Sequence, residues 1–255
     1  MVFFSASEKE NNVIYDTFNT DSKSRNLIVV ISDIHLGANF SYAEIEDNLE
    51  PLKSFLEQIR ASCSVKELVI AGDLLDEWFV PATTDTYNGK NQSDFVQQIA
   101  ATNKTVIDKL NQIIQEGEIK VNRYKGIQDN WTERCIENNV AVAIPAADAF
   151  KYAWSATGTD TTAVIQYFSN PNSTKRVVIF GHTHVAKIKM YNNYNGQKSI
   201  YANSGTWIDE NPDGSTMNFV VITPQSNDTD SQTLVTLYNF ANEMGTEMAK
   251  DSLRL

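Results

Sequence analysis

The chain has 255 residues, 42% of them apolar, and its 21 basic and 32 acidic side chains leave a net charge of −11. That length buries a core without disulfides, and the composition excludes collagen-like and disordered classes. No stretch approaches the ~18 consecutive apolar residues of a membrane span, and an acidic chain repels a phosphate backbone, which argues against general nucleic-acid binding.

Residues 1–26 are polar and read as an N-terminal arm ahead of a single domain over 27–255. The apolar start Met1–Ala6 is too short for the ~7–15-residue core of a signal peptide, and no basic residue precedes it. The expected location is cytoplasmic; the alternative is export with a signal trimmed at Ala6. Cys63 and Cys135 fit no Cys-x-x-Cys pattern and read as two buried thiols rather than a framework.

Leu27-Ile28-Val29-Val30-Ile31 is a β-branched run of the kind found in buried parallel strands. Ser41 and Glu44 have capping-box spacing ahead of a helical pattern through Ile45, Leu49, Leu52, Phe55, Leu56 and Ile59, which Pro51 either interrupts or restarts. Leu68–Ala71 is a second buried strand. Ser93 reads as the N-cap of one helix whose apolar face runs from Phe95 through Ile99, Val106 and Leu110 to Ile114, ending at Gly117. Glu118–Val121 begins a third strand, Val140–Ile144 is another candidate, and a short helix is expected over 162–168. Arg176–Phe180 is a further buried strand. Lys187–Tyr191, Lys198–Asn203, Met217–Thr223 and Leu234–Phe240 follow as strands, with turn chemistry at Asn195-Gly196 and Asp213-Gly214. The pattern is α/β first and mostly β later.

The three histidines carry the chemistry. His35 follows Asp33 by two residues, and His182 precedes His184 by two. Both pairs, and Asp73, fall just past the carboxyl end of an apolar strand, where open α/β sheets bind ligands. Residues two apart on extended backbone share a side, so each pair can converge on one point. Imidazole nitrogen with carboxylate oxygen suits Mn, Fe or Zn. Gly37, Gly72 and Gly181 permit tight turns beside the site.

Asp33-Ile34-His35, Gly72-Asp73-Leu74-Leu75-Asp76 and Gly181-His182-Thr183-His184, in this order over 27–223, resemble the motifs of the calcineurin-like metallophosphoesterases of bacterial type. Trp78 resembles a Gly-Asp-x-x-x-x-Trp subgroup that includes lipid-A pathway pyrophosphohydrolases; Trp78 and Phe79 also read as packing residues. The resemblance implies a four-layer α/β/β/α sandwich with two divalent ions at the sheet ends. Asp33, His35, Asp73 and His184 would bind the first ion. Asp73 would bridge to the second and His182 would bind that one, with Asp73 and His182 closest to the chemistry. Asp76 would support a ligand or cap a turn. Asn203, Ser204 and Gly205 resemble a segment near the site with a structural role. The implied activity is hydrolysis of phosphomono-, phosphodi- or pyrophosphate esters by a metal-activated hydroxide, on a small phosphate-ester substrate.

The same family carries a Gly-Asn-His segment and a further mid-chain histidine, and this chain has neither. One ion keeps four protein ligands, and a second keeps only two unless the site is rebuilt. Three readings remain: an internal segment lost near Val121–Asn122, a degenerate member that binds one metal or a phosphate without turnover, or replacement ligands among Asp129, Asn130 and Asp148. The rival to an enzyme is therefore a non-catalytic metal- or phosphate-binding protein on the same fold.

Overall fold

The computed structural model describes residues 17–19, 24–41, 43–75, 92–124, 156–212, 214–228 and 230–255. The expectations for Met1–Ala6, Asp76, Trp78, Phe79, Asp129, Asn130, Cys135, Val140–Ile144 and Asp148 lie outside them.

The elements run β1 (Leu27–Ile31), α1 (Leu49–Ala61), β2 (Val65–Ala71), α2 (Gln92–Thr102), α3 (Lys104–Glu116), β3 (Lys120–Tyr124), α4 (Ala156–Ala163) and a π-helical turn (Val164–Phe168). Then come β4 (Val177–Phe180), β5 (Lys187–Asn192), β6 (Lys198–Asn203), β7 (Asn218–Thr223), β8 (Thr233–Ala241) and β9 (Met244–Leu253). One sheet has the order β3-β2-β1-β7-β8-β9 and the other β4-β6-β5. β1, β2 and β3 are mutually parallel, β4 is parallel to β6, and the remaining pairs are antiparallel.

Strand alternation builds four layers. Along β1, Leu27, Val29 and Ile31 face the helices α1–α3, whereas Ile28 and Val30 face the second sheet. In the second sheet, Val177, Ile179, Ile200 and Ala202 point inward, while Val178, Phe180 and Tyr201 pack outward against Ala163, Val164 and Phe168. Both faces of β1 and β6 are thus covered, which is why β1 reads as an unbroken apolar run and β6 carries Ile200, Tyr201 and Ala202 in succession. The result is the α/β/β/α sandwich.

Several local expectations change. The helix predicted from Ser41 begins at Leu49, because the Ser41 N–H is taken by Asn39 Oδ1 at 2.9 Å in a local turn. Pro51 then sits in the first turn of α1, where a missing N–H costs nothing. The long helix expected over 93–114 is two, broken at Asn103, whose side-chain amide donates to Ile99 O and Gly37 O at 2.8 Å each. Ile114, expected on its buried face, is exposed. Gly117 caps α3 at φ +72°, as the spacing predicts. β2 starts three residues early, and the helical segment over 162–168 begins at Ala156. β3 pairs with β2 in unbroken register from Lys120 to Tyr124, so 121–122 lies inside a continuous strand. Cys63 is exposed rather than buried, because it sits in the turn between α1 and β2. β9 was not expected: Met-Gly-Thr-Glu-Met-Ala-Lys-Asp-Ser-Leu is a half-exposed edge strand with little β-branched content. Within the arm, Phe18 is fully buried with its ring 5.4 Å from Phe55 and 5.5 Å from Phe219.

Candidate metal centre

The loops after β1 and β2 leave the sheet side by side. Ile34 and His35 donate their N–H groups to the Asp73 carbonyl at 2.9 and 3.0 Å, and Leu36 donates to Leu74 O at 3.0 Å. The loop after β4 arrives from the second sheet. Its His182 N–H donates to both carboxylate oxygens of Asp33, at 2.7 and 2.8 Å. This approach requires glycine at 181, because a Cβ there would overlap Asp33 Oδ2 and Ser32 Oγ.

Residues 203–207 join the two sheets at this end. Ser204 N–H donates to Phe180 O at 2.9 Å, and Ser204 Oγ shares a 2.7 Å hydrogen bond with Ser32 Oγ. The Asp33 carbonyl accepts from Trp207 N–H at 3.0 Å and Thr206 Oγ1 at 2.9 Å.

One ligand atom each from Asp33, His35 and His184 lies within 4.8 Å of the others. Asp33 is fully buried, His184 Nε2 is 3.4 Å from Asp33 Oδ1, and the His35 and His184 rings stand 5.3 Å apart. His35 Nε2 is buried with no hydrogen-bond partner. An orphaned imidazole nitrogen facing a carboxylate and a second imidazole fits a divalent cation, and that donor set suits Mn, Fe or Zn. Asp73 and His182 stand outside this triad as a pair, Nδ1 to Oδ2 3.7 Å.

Among the described residues, eight non-glycine residues have positive φ, and five of them are Asp33 (+52°), His35 (+53°), Asp73 (+42°), His182 (+72°) and His184 (+57°). Left-handed backbone is uncommon for L residues and gathers at functional sites. These turns aim all five side chains from the strand ends.

Charge follows the same geometry. Burial works to raise the Asp73 carboxyl, but the His182 hydrogen bond and the nearby imidazoles outweigh it and hold it below the usual carboxylate range. Burial opposes protonation of His184, but the facing Asp33 carboxylate outweighs it and raises the imidazole above its ordinary value.

A calcineurin-like phosphoesterase superfamily domain matches residues 27–227. The chain belongs to that superfamily. Divalent metals are typical of calcineurin-like phosphoesterases, and Asp33, His35 and His184 form this member's candidate metal site. Similar solved structures include Chaetomium thermophilum Vps29 complexed with the RaPID-derived cyclic peptide RT-D3, at 12% identity and TM-score 0.36 over 89% of this chain and 95% of that one. A second Chaetomium thermophilum Vps29 structure matches at 10% identity and TM-score 0.33, over 89% of this chain and 93% of that one. No curated protein gives a significant match. Among the described residues no helix is long and apolar enough to cross a membrane.

Motif reading named Asp33, His35 and His184, which the structure brings together, and Asp73 and His182, which stand beside them as a pair. It missed the parts that hold them: Ser32, Thr206 and Asn211, which donates to His184 O at 2.9 Å. Ser32 beside Asp33 was a signal of sorts; Asn211 offered none.

Proposed function

We propose that this chain is a divalent-metal-dependent phosphoester hydrolase acting on small phosphomono-, phosphodi- or pyrophosphate esters. The observation that carries the reading is the buried, unpartnered His35 Nε2 within the Asp33, His35 and His184 triad. Those three residues would hold the ion, Asp73 would complete the set, and His182 would attend a second, weaker position. A bound ion supplies charge stabilisation to phosphoryl oxygens and acidifies a water nucleophile. The chain's own contribution is orientation: Asp33 fixes the His182 backbone, and the Asp73 carboxylate is kept ionised facing the imidazoles.

The chain has three histidines in all, and each is a site residue, so none is left to protonate a leaving group. General acid catalysis is worth ~10²–10⁴-fold, so turnover should favour leaving groups of low pKa. The same observation supports a second reading, a metal- or phosphate-binding protein without turnover.

The test is Mn²⁺ stoichiometry after loading and desalting, followed by hydrolysis of p-nitrophenyl phosphate and of an alkyl phosphate. Bound Mn²⁺ with aryl but not alkyl turnover, both lost in Asp73→Asn, supports the hydrolase. Bound Mn²⁺ with no turnover of either ester supports the binder. Unchanged metal content in Asp73→Asn would remove Asp73 from the ligand set.

A further inference from the structure

Asn203 closes β6 and is fully buried, yet it lies outside every metal-binding motif. Its side-chain Nδ2 donates to Gly181 O at 2.9 Å and to Thr183 Oγ1 at 3.0 Å, while its Oδ1 accepts the Gly205 N–H at 2.9 Å. One amide therefore grips both odd-numbered residues of the loop Gly181-His182-Thr183-His184. The even-numbered residues are the two histidines, held at left-handed φ. Gly205, bound by the same side chain, also has positive φ (+73°) and begins the step to Thr206 and Trp207, both of which bond the Asp33 carbonyl.

We infer that Asn203 is the positioning residue of the metal centre: by fixing Gly181 and Thr183 it sets where His182 and His184 present their ring nitrogens. This rests on the metal-site reading above and says which residue outside the ligands sets the affinity. A carboxylate cannot replace the amide. It has the same shape but no N–H to donate, and it brings negative charge against the Gly181 carbonyl. Groups that orient metal ligands typically change affinity by about 10–100-fold when removed.

The experiment titrates the full chain with Mn²⁺ alone by calorimetry, and with Co²⁺ while recording its visible d–d absorption, which reports ligand geometry. Asn203→Asp should bind Mn²⁺ about 10–100-fold more weakly and shift the Co²⁺ bands. Its far-ultraviolet circular dichroism and cooperative urea transition should stay those of a folded protein. Thr183→Val removes one of the two contacts and should fall between Asn203→Asp and the parent. Thr183→Ser restores the hydroxyl and should return affinity and spectrum to the parent's. If Asn203→Asp fails to fold, the Val and Ser pair decides the matter. Parental affinity and spectrum in both Asn203→Asp and Thr183→Val would overturn the inference and leave the metal site standing. Failure of the unmodified chain to take up either metal would overturn both.

Discussion

Replacing Gly181 with alanine is expected to unseat Asp33. The added Cβ would overlap Asp33 Oδ2 and Ser32 Oγ and lie 2.5 Å from Ser32 Cβ, whereas carbon pairs settle at about 3.5–4.0 Å. Neither neighbour can retreat cheaply. Asp33 is fully buried with both oxygens on the His182 N–H, and Ser32 is fixed by Ser204 Oγ and by Gly205 O at 3.1 Å. Overpacking costs about 1–3 kcal/mol, and a hydrogen bond to a charged group adds about 1.5–3 kcal/mol when lost. The sum is about 2.5–6 kcal/mol. At about 2–4 °C per kcal/mol for a chain near this size, Tm should fall by about 5–24 °C. Calorimetry gives the Tm, and Mn²⁺ uptake should be lost alongside. Gly196→Ala is the control, because Gly196 has φ +72° but open space where the Cβ would go. It should cost only the left-handed penalty, about 1–2 kcal/mol, and leave uptake intact. A Gly181→Ala protein melting within about 2 °C of the parent, with full Mn²⁺ uptake, would refute the steric reasoning.

Phe55→Ala should destabilise by about 3–5 kcal/mol in urea, because the fully buried ring packs 4.8 Å from Trp207, 5.0 Å from Phe219 and 5.3 Å from Phe240. Asn103→Ala leaves the Gly37 carbonyl without its side-chain donor and should cost about 1–3 kcal/mol in the same assay. Hydrogen bonds from Arg60 and then Lys109 pull the Glu57 carboxyl from 4.5 down to about 2. A depressed carboxylate stabilises above its unfolded value and loses that contribution as pH falls through the folded one. Glu57→Gln should therefore lower the urea midpoint at neutral pH and not near pH 2. Concentrated salt should shrink the neutral-pH difference, since Glu57 is partly exposed.

The legible parts of the fold were those that bury both faces. Leu27–Ile31 ends where its apolar run predicts, and Lys198–Asn203 has the bounds expected of it around Ile200-Tyr201-Ala202. β9 escaped because an edge strand needs only one partner's backbone, and backbone pairing leaves no trace in side-chain chemistry. The break at Asn103 escaped because an asparagine with helical periodicity on both sides looks like a surface position until Gly37 meets it. In the candidate site, the clustering of Asp33, His35 and His184 was readable because few residue types bind metals and all three follow strands. What was not readable is which carboxylate joins the triad. That depends on Gly181, Thr206 and Trp207 meeting Asp33, and on Ser204 meeting the neighbouring Ser32, contacts made across more than a hundred residues of chain.

The five left-handed site residues put this protein's stability and its chemistry at odds. Each holds a conformation that glycine adopts freely and asparagine tolerates. His182, with a third of its side chain exposed, surrenders little packing if it becomes glycine. Lineages under no selection for metal binding would then drift toward glycine or asparagine at an exposed position such as 182 and gain thermal stability there, whereas buried Asp33, holding the His182 N–H, would be kept. A laboratory screen that rewards heat resistance alone should converge on the same inert, hardier scaffold.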